Sequence, residues 1–124
     1  MAEIKCSCGL DKKVNLIYAC SGAANTGYLA DQVARGLSKD KAGGMTCLAA
    51  MGANLSGFVE SAKSADQNII IDGCQVACGK KIFDNLGLSN YHHFILTSFG
   101  VEKGKTDITP EVIGRVASDI NGRL

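Results

Sequence analysis

Asn68-Ile69-Ile70-Ile71-Asp72-Gly73-Cys74 is the stretch on which the reading of the fold turns. Three consecutive β-branched residues between two polar ones, stopped by a glycine, describe a short strand buried on both faces, as in a parallel sheet covered by helices. Working outward, residues 14–19 form a first strand ending at Cys20, and residues 45–48 a short second strand containing Cys47. Residues 93–97 form a fourth. Between these runs, apolar residues recur at helical spacing. Leu29, Val33, Ala34 and Leu37 mark one helix, with Asn25 or Thr26 as its cap. Leu55, Phe58, Val59 and Ala62 mark a second. Val76, Ile82, Phe83 and Leu86 mark a third, which follows Gly73 and stops at Gly87. Thr109-Pro110-Glu111 opens the last helix with an N-cap, a proline at N1 and an early acid; Val112, Ile113, Val116 and Ile120 form its core face.

This alternation predicts a three-layer α/β/α fold of the Rossmann/flavodoxin-like kind, with about four parallel strands. Right-handed crossovers favour the order 2-1-3-4. The first and third strands are then neighbours at the switch point, where ligands bind outside the carboxyl ends of the strands. Residues 13–124 read as a single α/β domain, and residues 1–12 as an N-terminal arm carrying the Cys-x-Cys pair Cys6 and Cys8.

Composition narrows the functional classes. Charged residues make up 20% of the 124-residue chain and nearly cancel, leaving a formal net charge of +1. No basic stripe points to nucleic acid, and no apolar run approaches the roughly 20 residues needed to span a membrane. The N-terminus lacks an apolar signal core, so the expected location is the cytoplasm. In that reducing compartment, six cysteines in so short a chain suggest metal binding or thiol chemistry over disulfides.

The inferred frame gathers four of them. Cys20 ends the first strand, Cys47 lies near the end of the second, and Cys74 follows the third by one glycine. Cys78 lies four residues beyond Cys74 in the opening turn of a helix, where i and i+4 side chains share a face. All four sulfurs are expected in one crevice. Helix N-termini beside them favour the thiolate form. Four thiolates suit a closed zinc site with bonds of about 2.3 Å, and three suit a site with an open position. An iron–sulfur cluster uses the same ligands. Cys6 and Cys8 are either additional ligands or an exposed pair with no fixed partner.

Several neighbours have a potential role. Asp72 and Ser21 are placed to hydrogen-bond the ligands or the loop amides; for Asp72 the alternative is a turn-forming role before Gly73. The loop from Gly22 to Gly27 could bind a small anion through its N–H groups. It is nevertheless no P-loop, because Tyr28 and Leu29 stand where lysine and a hydroxyl residue belong. Nor is it the loop of a small tyrosine phosphatase or arsenate reductase, since Thr26 occupies the position of the phosphate-clamping arginine. Cys74 and Cys78 are one residue further apart than a thioredoxin-type pair, and no paired Cys-x-x-Cys knuckles form a zinc ribbon. His92 and His93 begin the fourth strand and are expected at the opposite edge from the cysteines. Lys103 and Lys105 read as solvated loop lysines.

Asp72-Gly73-Cys74, with Cys78 behind it, resembles the DGC-domain family, as do Cys20-Ser21-Gly22, the Cys47 segment and the stretch from Gly100 to Lys105. The resemblance covers nearly the whole chain. It implies zinc binding, inferred from the cysteines, with no settled activity. The expected partner is therefore a metal ion, used in storage, delivery or sensing. The rival readings are a thiol-dependent redox or sulfur-transfer enzyme, with Cys74 or Cys20 as nucleophile, and an iron–sulfur protein.

Overall fold

Ile69, Ile70 and Ile71 are completely buried because helices cover both faces of the strand that carries them. The computed structural model describes residues 13–124. Its elements are β1 (Asn15–Ala19), α1 (Asn25–Lys39), β2 (Gly44–Met45), α2 (Leu48–Gly52), α3 (Ser56–Ser64), β3 (Gln67–Asp72), α4 (Cys78–Asn85), β4 (Tyr91–Ile95), a 3-10 turn (Leu96–Phe99) and α5 (Pro110–Asn121). All strand pairs are parallel and the order is β2-β1-β3-β4. The three-layer α/β fold and its strand order are therefore as the sequence predicts.

Alternation along the strands sorts the core into two halves. Ile17, Ile69 and Ile71 pack with Leu29, Val33 and Leu37 of α1 and with Val116 and Ile120 of α5. Tyr18 and Ile70 face the other way, onto Leu48 and Met51 of α2, Val59 and Ala62 of α3, and Phe83 of α4. Each fully buried aliphatic side chain contributes about 2 kcal/mol of transfer free energy. One polar pair sits inside this second half. The Tyr18 hydroxyl donates to Asn68 Oδ1 (2.7 Å), and Asn68 Nδ2 donates to the carbonyls of Ala62 (2.9 Å) and Asn90 (3.1 Å). Burial pushes the Tyr18 phenol well above its usual range.

Several boundaries differ from expectation. β2 is only two residues long, so Cys47 lies beyond it, at the N-cap position of a short helix, α2, that no periodicity announces. α4 begins at Cys78, after a turn in which Ala77 closes back on the Cys74 carbonyl (3.1 Å); Val76 is therefore 50% exposed instead of core-facing. On α3 only Val59 and Ala62 are buried, while Phe58 and the preceding Leu55 stand out to solvent. β4 starts two residues early and gives way to the 3-10 turn at Leu96. Neither Asn25 nor Thr26 caps α1: the N-cap is Ala24, and Thr26 is buried. Thr109 does cap α5, accepting from the Val112 amide (3.2 Å). Among the described residues, no helix is long and apolar enough to cross a membrane.

Replacing Asn68 with alanine strands the Tyr18 hydroxyl, while the Ala62 carbonyl keeps the Asn90 Nδ2 donor and the Asn90 carbonyl keeps the backbone N–H of residue 68, so urea denaturation should show a loss of about 2 kcal/mol. The phenol has a second signature. Its folded-state ionisation is raised, so the folded chain keeps a proton that the unfolded chain releases above about pH 10. Stability should fall as pH rises from there, and the fall should be smaller in Tyr18→Phe.

Candidate thiol site

Cys20 leaves the end of β1 at the switch point, where the sheet reverses its order of growth. Its backbone N–H continues the ladder to the Ile71 carbonyl (3.1 Å), and its Sγ accepts the Gly73 N–H (3.3 Å). The sulfur is thereby fixed over the carboxyl end of β3. Cys47, at the N-cap of α2, and Cys78, the first residue of α4, are both exposed. These three cysteines line one cavity of about 790 Å³, together with Ser21, Asp31, Arg35 and an apolar wall that includes Met45, Phe58 and Ile82.

Cys74 does not join them. The expectation of four converging sulfurs assumed that Cys74 and Cys78 share a helix face. In the structure, Cys74 precedes the helix, and the left-handed backbone of Ala77 (φ 56°) re-aims the chain between them. Cys74 lies instead against Lys103, whose Nζ approaches its Sγ at 3.4 Å. Lys103 therefore has a partner, whereas Lys105 does no more than pair with Glu102 at the surface. The loop bearing Lys103 is wrapped around the side chain of Asn25. Asn25 Nδ2 donates to the carbonyls of Glu102 (3.2 Å) and Thr106 (2.8 Å), and Oδ1 accepts the Gly104 N–H (2.7 Å). Among the described residues, no three His, Cys, Asp or Glu side chains stand close enough to share a metal ion. Cys6 and Cys8 lie outside the described residues.

Asp72 is 1% exposed and fully engaged. Its Oδ1 accepts the Gly79 N–H (2.8 Å), and its Oδ2 accepts the Lys80 N–H (3.1 Å) and the His93 Nε2–H (2.7 Å). The first two are orphan amides of the opening turn of α4, which the alanine at the N-cap cannot satisfy. A carboxylate from β3 replaces the missing cap and meets the positive end of the helix. This also corrects the placement of the histidines. Register pairs Ile70 with His93, and Asp72 shares the face of Ile70, so the imidazole reaches the carboxylate in place of facing the far edge. His92 packs against Phe94. Gly73 is required for a different reason: a Cβ there would fall 2.5 Å from the Thr26 carbonyl oxygen. Likewise, a Cβ on Gly27 would fall on the Gly22 peptide, so close packing accounts for Gly27 without an anion.

Ser21 acts on the cavity wall through Asp31. Its Oγ donates to Asp31 Oδ1 (3.1 Å), while Arg35 Nε donates to Asp31 Oδ2 (2.8 Å). The Arg35 guanidinium, and secondarily the Ser21 hydroxyl, hold the Asp31 carboxyl below its usual range. Sequence reasoning passed over this pair, although Asp and Arg four residues apart on a helix were a readable signal.

Removing the Asp72 carboxylate exposes what it holds. Asp72→Ala should lose about 3 kcal/mol in urea denaturation, because one buried and two partly buried donors lose their acceptor. Alkylation of Cys78 should accelerate as the first turn of α4 frays. Asp72→Asn, which keeps one acceptor oxygen, should fall between the two.

Comparison with known proteins places these features in a family. The DGC-domain family model matches residues 16–120, which includes all four cysteines of the described structure. The chain is 30% identical over 93 residues to the anaerobic and virulence modulator AnvM of Pseudomonas aeruginosa, covering 75% of this chain and 71% of that protein. No solved structure matches. The span of the family match, across every strand and the loops that carry the thiols, makes this chain a member of the DGC-domain family.

Proposed function

We propose that this chain is a metal-binding protein that takes zinc on the thiolates of Cys20, Cys47 and Cys78 and serves in metal storage, delivery or sensing. The observation that carries the reading is that three cysteines from three separate segments open on one cavity at the carboxyl edge of the sheet. The donor chemistry fits zinc: three soft thiolates leave the fourth tetrahedral position open for exchange. As placed, the three sulfurs are not gathered into a finished site. Cys47 and Cys78, both exposed at helix starts, are the ones that must draw towards Cys20. An iron–sulfur cluster normally takes four thiolates, and Cys74 faces Lys103 instead. The relative's name, a modulator, favours sensing among the three uses.

A second reading draws on the same geometry. Thiols that stand apart remain available for redox or sulfur-transfer chemistry, and Cys20 has a backbone N–H donor on its sulfur.

Elemental analysis of the full chain, purified under reducing conditions without added metal, separates the two. Metal binding predicts about one zinc per chain, lost in Cys20→Ser, Cys47→Ser and Cys78→Ser but kept in Cys74→Ser. Replacing Cys6 and Cys8 shows whether the arm contributes. A folded, metal-free chain that takes up neither zinc nor cobalt, and whose thiols alkylate stoichiometrically without chelator, overturns the first reading and supports the second. A brown chain after anaerobic purification would identify an iron–sulfur protein.

A further inference from the structure

The cavity is much larger than its thiols need. A metal held by bonds of about 2.3 Å occupies a small part of 790 Å³, a volume in the range of small-molecule pockets. Its walls differ in character, with Met45, Leu48, Phe58 and Ile82 supplying apolar surface and Arg35 a cation.

Arg35 is held in a particular way. Its Nε–H is committed to Asp31 Oδ2 at 2.8 Å. The Asp31 carboxylate also accepts from Ser21 Oγ on Oδ1 (3.1 Å) and from Gln32 Nε2 on Oδ2 (3.4 Å). It fixes the guanidinium by one edge, and the edge formed by the two terminal nitrogens has no partner among the described residues. Two parallel N–H groups on that edge match the two oxygens of a carboxylate.

We propose that the cavity binds a low-molecular-weight thiol or disulfide bearing a carboxylate, with the carboxylate on Arg35 and the sulfur among Cys20, Cys47 and Cys78. The inference rests on the cavity thiols being the functional groups, whether or not they hold zinc. With a disulfide, a cavity thiolate attacks one ligand sulfur. The ligand S–S bond breaks, a mixed disulfide forms, and the departing thiolate takes a proton from solvent.

The test is the rate of mixed-disulfide formation on the reduced, metal-free full chain, mapped by peptide mass spectrometry. The probes are 3,3′-dithiodipropionate, neutral bis(2-hydroxyethyl) disulfide and cationic cystamine, each normalised to the urea-unfolded chain. At low salt the dicarboxylate should react about fivefold faster than the neutral probe at the cavity cysteines. Arg35→Gln should bring that ratio to about one, and Arg35→Lys should keep part of it, since charge remains while the fork is lost. Equal rates for all three probes, or a preference that survives Arg35→Gln, would overturn the proposal. Arg35 is exposed, so unchanged urea midpoints are expected in both variants. Zinc content reports separately: a chain without zinc that keeps the carboxylate preference sinks the metal reading alone. A chain that holds zinc without the preference sinks this inference alone.

Discussion

The carboxylate of Asp72 joins three elements through side-chain bonds, tying a helix that otherwise packs on the sheet by apolar contact to two of its paired strands. It closes β3, caps α4 and receives the imidazole of β4. Burying an anion is costly unless donors replace the water it loses, and here every donor is supplied by the fold itself. The helix start it secures is also the point at which Cys78 enters the cavity. A buried charge thus fixes the position of an exposed thiol.

The same junction explains the tripeptide that marks the family. Asp72 supplies the missing helix cap, Gly73 lets the Thr26 carbonyl approach and offers its N–H to Cys20, and Cys74 faces Lys103. Each residue answers a different physical demand. The first two demands are architectural and hold whatever the cavity contains. The thiols fall into two environments: Cys20, Cys47 and Cys78 on the cavity, and Cys74 under a lysine on a loop wrapped around Asn25.

What could be read from the sequence follows from how locally each feature is encoded. The triple isoleucine of β3 needs no context, and the crossover rule extends it to a strand order. The placement of Cys20 followed from there. Cys47 was misassigned because a strand of two residues carries no periodicity, and its helix is a single short turn. Cys74 parted from Cys78 because Ala77 adopts a left-handed backbone that glycine or asparagine would have signalled and alanine does not. The pairing of His93 with Asp72 depends on register between two strands, which no local pattern specifies. The Asp31–Arg35 pair was legible, but its place on the cavity wall was not.

The brevity of β2 also bears on how copies of this chain meet one another. A parallel sheet with a long open edge offers a row of unpaired N–H and C=O groups to any extended segment nearby. Here one margin of the sheet is a strand of two residues, Gly44 and Met45. So few groups cannot template a further strand. Strand addition is therefore disfavoured on that side, and the brevity that hid Cys47 from the sequence also blunts the edge that β2 forms.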